Sequence, residues 1–141
     1  MKINISDISE LIKDFSKEEV MALINAMFKM SLSSGDIKAQ EKDFANFIIM
    51  QIEVAELKSH KGYDIDADDP ETRKAIMKID VEATIKDPNK RAVVLAVAAG
   101  MALADNVVDA NEHHYLQHLV EAWQQPLDSD IYAKVQQRLK R

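Results

Sequence analysis

Three acidic side chains in the C-terminal half have the spacing of a candidate cation site. Asp105, Asp109 and Glu112 are four and three residues apart around one predicted turn between helices. Hard cations such as Ca²⁺ and Mg²⁺ take several carboxylate or carbonyl oxygens as ligands. If an equivalent earlier turn packs against this one, Asp36 and Glu41 join the group. The sequence therefore predicts a divalent-cation site, for Ca²⁺ or Mg²⁺ rather than Zn²⁺.

The same acids have a purely structural alternative. Asp109 and Glu112 match the capping box, in which each side chain accepts a hydrogen bond from the other residue's amide. In the earlier turn Lys38 stands at the matching N-cap position and is a poor cap, yet Glu41 is present. A glutamate without a capping partner favours a second role for these acids, and both interpretations stay open.

The acidic segment 64–69 begins like an EF-hand calcium loop. Two required positions differ, because Asp69 stands where the loop needs glycine and Ala75 where it needs glutamate. We therefore expect a solvated acidic loop whose last residue, Asp69, caps the following helix.

Three histidines follow the acidic turn. His114 and His118 are four residues apart, but Tyr115 stands where the metalloprotease motif needs glutamate. We expect His113, His114 and His118 on the exposed face of their helix, where they could hold a transition metal only weakly.

Helix-capping residues and prolines along the chain predict an all-helical fold. Ser16 and Glu19 form a capping box, and Asp69 and Asp87 each precede a proline at a first helical position. Strand patterns are absent from the sequence. About seven helices are predicted, near residues 7–15, 16–34, 39–57, 70–86, 88–105, 110–124 and 128–140.

Two of these helices are expected to be largely buried. The helix at 88–105 is apolar on every face, and Ala96, Gly100 and Ala104 form a ridge that permits a close helix crossing. The helix from about residue 39 has a broad apolar set: Phe44, Phe47, Ile48, Ile49, Ile52 and Val54. Core positions are also expected for the methionines at helical spacing, Met21, Met27, Met30 and Met50.

An internal repeat relates the two turns. Shifting the chain by 71 residues aligns residues 30–41 with residues 101–112 without a gap. Gly35 faces Asn106, and these are the residue types best suited to a left-handed turn. Each copy reads as helix, left-handed stop, one apolar residue and new helix, which predicts a pseudo-two-fold bundle of two helix–turn–helix repeats. The identical pairs are Met30/Met101, Leu32/Leu103, Ala39/Ala110 and Glu41/Glu112.

The repeat carries a family resemblance. Residues 102–112 follow the pattern Ala-x-x-Asp-Gly-x-Ile-x-x-x-Glu with Asp105, Val108 and Glu112 in place, and with Asn106 instead of glycine. This pattern resembles the tellurite-resistance TerB family, and the resemblance covers about residues 16–125.

The resemblance implies an all-helical fold with two such repeats, a bacterial stress-associated role and divalent-metal binding by the acidic loops. The first copy keeps Gly35, Ile37 and Glu41. It adds Asp36 but has Ser34 where the family has aspartate, which weakens the implied metal role.

The domain organisation follows from length and repeat. A chain of 141 residues fits one domain, here a single TerB-like helical domain over 1–141. We expect repeat one at about 16–57, an acidic loop at 58–69 and repeat two at about 88–125.

Composition excludes several classes of function. The chain has no cysteine, which excludes disulfides, thiolate zinc sites and cysteine nucleophiles. Its net charge of −6 argues against nucleic acid as a partner. The longest apolar stretch, 92–104, falls short of the about 20 residues that span a bilayer. We expect a cytoplasmic protein without a transmembrane segment, with peripheral membrane contact left open.

Two functions remain after these exclusions. The first is a non-enzymatic module that binds a divalent cation, a protein partner or both through its acidic interhelical turns. The alternative is a helical protein-interaction or homodimerisation module whose metal site has decayed. A metal-dependent hydrolase is a weaker third hypothesis, because no general base with an orienting partner is recognisable.

Overall fold

The computed structural model describes residues 8–32, 38–66 and 68–139. These residues form eight α-helices and no strand, so the predicted all-α fold is confirmed. The helices are α1 (Ile8–Ile12), α2 (Lys17–Leu32), α3 (Ala39–Ser59), α4 (Pro70–Met77), α5 (Val81–Thr84), α6 (Pro88–Leu103), α7 (Ala110–Trp123) and α8 (Ser129–Arg138).

Side-chain caps begin several helices where the sequence predicts them. Ser16 and Glu19 form the reciprocal hydrogen bonds of a capping box at α2. Asp69 accepts from the amide of Thr72 at 2.9 Å, and Asp87 accepts from two amides at the start of α6. These aspartates satisfy amides that have no partner within the helix.

The prediction of a single helix at 70–86 is wrong, because the chain forms two helices there, α4 and α5. The side-chain amide of Asn25 donates to the carbonyls of Ile76 and Ile79 at 2.7 and 3.2 Å, which ends α4. Asp80 then accepts from the amide of Ala83 and starts α5. A buried polar residue from α2 therefore sets this break.

Helix α6 is the central helix of the bundle, as predicted. It packs against α2, α3, α7 and α8, and its residues 93–99 are all buried. Gly100 lies where α3 crosses α6, and a Cβ atom there would lie 2.5 Å from Cζ of Phe44. The predicted small-residue ridge thus allows a close approach at Gly100.

Helix α3 is not largely buried, contrary to expectation. Its core face consists of Glu41, Ile48, Ile52 and Ala55. Met50 is 60% exposed and Leu57 is 78% exposed, so the prediction of a core Met50 is wrong. Apolar residues occur on both faces of α3, but the domain covers only one of them.

The turn after α6 has the predicted shape. Asn106 adopts a left-handed backbone with φ of 66°, and Val108 is fully buried. The amide of Val108 donates to the carbonyl of Arg138 at 2.9 Å, which pins the end of α8 beside this turn. The equivalent residues of the first repeat, 33–37, lie outside the described residues, and the pseudo-two-fold relation stays a prediction.

Two polar side chains join other parts of the bundle. The hydroxyl of Tyr63 donates to the carbonyl of Phe15 at 2.7 Å and holds the segment after α3 against the segment between α1 and α2. The indole Nε1 of Trp123 donates to the carbonyl of Glu82 at 3.2 Å, and the Arg91 guanidinium lies 5.4 Å from the indole centroid. Within the described residues, no helix has the length and apolar character to cross a membrane.

Candidate functional site

The predicted acids occupy the first turns of α3 and α7 and the turn before α7. Glu41 is the third residue of α3, Asp109 is the N-cap of α7, and Glu112 is the third residue of α7. Asp105 follows α6. The remaining predicted ligand, Asp36, lies outside the described residues. We call Glu41, Asp105, Asp109 and Glu112 the acid cluster.

At α7, the capping interpretation of the acids is confirmed. Oδ1 of Asp109 accepts from the amide of Glu112 at 2.8 Å, and Oε1 of Glu112 accepts from the amide of Asp109 at 3.1 Å. Glu112 is only 4% exposed. Capping therefore accounts for the presence of both residues at this turn.

At α3, capping accounts for only one of the two carboxylate oxygens of Glu41. Oε1 of Glu41 accepts from the amide of Lys38 at 3.1 Å, which is one half of a capping box. Glu41 is 2% exposed, and its Oε2 is buried without a hydrogen-bond partner. A buried carboxylate oxygen without a partner is costly, so this atom calls for an explanation beyond capping.

Lys38 links the two turns. Its ammonium forms an ion pair with Oδ2 of Asp105, which lies 67 residues further along the chain. The other oxygen of Asp105 accepts from the amide of Val107 at 3.2 Å. Sequence reasoning treated Lys38 only as a poor cap. The available signal was the repeat alignment, which places this basic residue opposite the acidic Asp109.

The acids of the two turns raise one another's pKa values. Burial and, to a lesser degree, the negative charges of Asp109, Glu41 and Asp105 together raise the pKa of Glu112 to about 7, against the lowering effect of the hydrogen bond from the Asp109 amide. Burial also raises the pKa of Glu41, and Asp105 and Asp109 add to the increase. The two turns are joined by the ion pair of Lys38 with Asp105, and their carboxyl groups influence one another electrostatically.

The ion pair shifts the pKa values of its two partners in opposite directions. Burial alone would raise the pKa of Asp105, but the hydrogen bond from Lys38 and the amide of Val107 together hold it below its usual value. The hydrogen bond and charge of Asp105 raise the pKa of Lys38, and the charges of Glu41 and Glu112 contribute. Lys38 is thus stabilised as a cation by three carboxyl groups from both turns.

As arranged, the acid cluster does not fit a divalent cation. Across the described parts of the chain, no group of three acidic, histidine or cysteine side chains is placed to share a metal ion. The oxygens of Asp105 contact Lys38 and an amide, and Asp109 and Glu112 each use one oxygen in capping. The ammonium of Lys38, whose side chain is half-exposed, contacts Asp105, one of the groups that would serve as ligands.

The histidines are only partly where the sequence places them. His114 and His118 are exposed, as expected. His113 is half-buried, and its Nδ1 is buried without a partner, which corrects the expectation for that residue. Nε2 of His118 lies 2.8 Å from Oε1 of Glu82 across the α5–α7 contact.

A second candidate site is an apolar surface on α3. Met50, Val54 and Leu57 are exposed and lie on the face opposite the core residues Ile48 and Ile52. We call these three residues the α3 stripe. The sequence predicts buried positions for Met50 and Val54 and does not single out Leu57, because periodicity alone does not tell which of two apolar faces the domain covers.

Comparisons with known proteins identify no relative of this chain. No protein-family model matches the chain, and no curated protein or solved structure is significantly similar to it. The resemblance to the TerB family therefore stays a prediction carried by the repeat motif.

Proposed function

We propose that the protein is a non-enzymatic helical interaction module that self-associates by packing α3 against α3 of a second copy. The observation that carries this proposal is the α3 stripe, which exposes large apolar side chains along a helix of 21 residues. Water contact with this surface is unfavourable, and contiguous exposed apolar surface is typical of protein interfaces.

The spacing of the stripe favours a helical occupant. Half-buried Phe47 precedes Met50, Val54 and Leu57, and the intervals are three, four and three residues. This is the a/d repeat of a coiled-coil seam, in which knobs from one helix fit holes formed by the other. A helix of this length extends over about 31 Å, which provides several turns of contact.

The charges beside the stripe favour a second copy of the same helix. With Met50 at position d, Glu53 falls at position g and Lys58 at position e. In parallel pairs the g residue faces the e residue five positions further along the partner, which brings Glu53 near Lys58 of the other copy. Lys58 also bonds Glu10 within its own chain at 2.6 Å, so it would bridge two carboxylates.

The test is the oligomeric state of a stripe variant. We expect the wild-type chain to show a species of about twice its 15.9 kDa mass by light scattering at high concentration. Leu57→Glu should yield monomer, because it places a carboxylate at the most exposed position of the stripe. Leu57 is 78% exposed, so this change leaves the core intact.

The matched control is Tyr132→Glu, which introduces the same charge at another exposed apolar residue, on α8. This variant should remain dimeric. A wild-type chain that stays monomeric at high concentration, or equal loss of dimer in both variants, contradicts self-association through α3.

The predicted divalent-cation role of the acidic turns has weaker support. It rests on the motif resemblance and on the buried Oε2 of Glu41, whereas the donor arrangement favours the alternative in which the metal site has decayed. A stress-associated role also follows only from the resemblance and stays a prediction.

A further inference from the structure

A groove between α7 and α8 lies at the surface, away from the α3 stripe. Among the described helices, α7 and α8 both pack extensively on α6 but not on each other, so a gap remains between them. The gap has a volume of about 440 Å³. Its apolar lining consists of buried Leu116 and Val135 with half-buried Val120 and Leu127. The fold therefore leaves an apolar space unfilled between these two helices.

The two helices that form the walls of the groove are fixed at both ends. At one end, the amide of Val108, two residues before α7, donates to the carbonyl of Arg138 in the last turn of α8. At the other end, the short segment 124–128 connects α7 to α8. The helices are therefore antiparallel, and the groove is present before any ligand binds, which lowers the cost of binding.

A carboxyl group and an aromatic ring lie toward the same end of the groove. Glu121 is in the last turn of α7, and Tyr132 is near the start of α8, so the antiparallel arrangement places both toward segment 124–128. Both side chains are exposed. A carboxylate attracts a cation, and so does the face of a tyrosine ring. Glu121 is the only aspartate, glutamate, lysine or arginine among the described residues that line the groove.

The surroundings of that end also favour a cation. An adjoining cavity shares Pro126, Leu127 and Ser129 with the groove and is lined by two further carboxyl groups, those of Asp128 and Asp130. The N-terminus of a helix attracts anions, but at α8 it is already capped, because Asp128 accepts from the amide of Asp130 at 2.9 Å. The charge at this end of the groove is thus complementary to a positive group.

We propose that the groove between α7 and α8 binds a small amphiphilic amine. The apolar body of the ligand lies against Leu116, Val120 and Val135, and its ammonium lies at Glu121 and Tyr132. The volume of the groove falls within the range of about 300–1,000 Å³ that is typical of small-molecule sites. This site does not depend on self-association through α3.

The test compares three probes that share one six-carbon chain: hexylammonium, 1-hexanol and hexanoate. Nuclear magnetic resonance titration of the ¹⁵N-labelled full chain measures each dissociation constant and locates the binding site. We expect hexylammonium to bind at least about fivefold more tightly than hexanoate, because Glu121 attracts the first and repels the second. The affinity of 1-hexanol should be intermediate. Chemical-shift changes should be confined to α7, α8 and the segment between them.

Variants at exposed positions separate the two contributions to cation binding. Glu121→Gln should bring hexylammonium and hexanoate within about twofold of each other. Tyr132→Leu keeps an apolar side chain but removes the ring, so it should weaken hexylammonium about threefold and leave 1-hexanol unchanged. The matched control is Glu18→Gln, which removes an exposed carboxyl group from α2 and should keep the wild-type preference.

Each remaining outcome supports or overturns the proposal. Hexanoate that binds as tightly as hexylammonium overturns it, and so does absence of hexylammonium binding up to tens of millimolar. An apolar probe could instead bind the α3 stripe, so Leu57→Glu is titrated as well. Binding that persists in this variant supports the groove, whereas binding that is lost with Leu57, or chemical-shift changes confined to α3, overturns it.

Discussion

At the scale of single residues, Glu112 shows how two requirements on one side chain conflict. Its carboxyl must accept a hydrogen bond from the Asp109 amide at the start of α7, which favours the ionised form. The same carboxyl is buried beside other acids, which favours the protonated form. The second influence dominates, and the pKa of Glu112 is raised from 4.5 to about 7.

This shift predicts that the protein loses stability as pH rises through neutrality. In the folded state Glu112 holds its proton up to about pH 7, whereas the unfolded chain releases it near 4.5. Between these values the folded state binds more protons, so the free energy of unfolding falls as pH rises. We expect Glu112→Gln to remove about 1–3 kcal/mol of this decrease between pH 5 and pH 8.

Urea denaturation at both pH values measures the effect. Glutamine keeps the oxygen that accepts the Asp109 amide, so the cap is retained. The control is Glu121→Gln, an exposed carboxyl on the same helix, which should leave the pH dependence of the wild type intact. An unchanged slope in Glu112→Gln would show that this residue is not the source.

Spacing along one helix was enough to predict the caps, because the atoms that form them are at most three residues apart. Asp109 with Glu112 and Ser16 with Glu19 are such pairs. The ion pair of Lys38 with Asp105 depends on how two distant turns pack, and no local rule contains that information. For the same reason, convergence of the two turns was only a conditional expectation.

At the scale of helices, the crossing of α3 over α6 depends on a glycine, Gly100, which has no side chain to obstruct the contact. The ring of Phe44 occupies the space above Gly100 where a Cβ would stand, with Cζ at 2.5 Å and Cε2 at 2.9 Å. A larger residue forces the ring or the helix to move. Glycine lowers helical propensity by about 1 kcal/mol relative to alanine, and the contact with Phe44 accounts for its presence in the last turn of α6.

We predict that Gly100→Val destabilises the fold by about 1–3 kcal/mol, the usual range for an overpacked core. The control is Gly62→Val, because no atom lies within 4 Å of a Cβ at that loop position. Adding Phe44→Leu to Gly100→Val should restore part of the loss. Equal denaturation midpoints for Gly100→Val and the wild type would show that α3 adjusts without cost.

The ends of helices are predictable when the signal is local and not when it comes from elsewhere in the fold. Asp69 and Asp87 precede prolines and start α4 and α6 where expected. The break between α4 and α5 is set by Asn25, which lies 51 residues from its acceptor Ile76. A hydrogen bond from a polar side chain on another helix produces no periodic pattern in the sequence of the helix that it ends.

At the scale of the whole molecule, the two apolar faces of α3 have different roles. Ile48 and Ile52 fix the helix to the domain, and the α3 stripe remains on the surface. A dimer formed through this stripe would couple assembly to folding, since association stabilises only the folded chain.

Self-association therefore predicts that thermal stability depends on protein concentration. The melting temperature of the wild type should rise over about a hundredfold range of concentration, because mass action favours the folded dimer. Differential scanning calorimetry measures the change. Leu57→Glu should melt at one temperature throughout this range, and a wild type that behaves in the same way would contradict the coupling.

The single tryptophan of the chain gives this fold an internal optical reporter. Trp123 is buried, bonds the carbonyl of Glu82 and lies beneath Arg91, so its fluorescence follows the packing of α7 against α5 and the start of α6. Far-ultraviolet circular dichroism follows all helices at once. Coincident transitions of the two signals identify one cooperative unit, whereas an earlier change in emission locates the first opening beside α5.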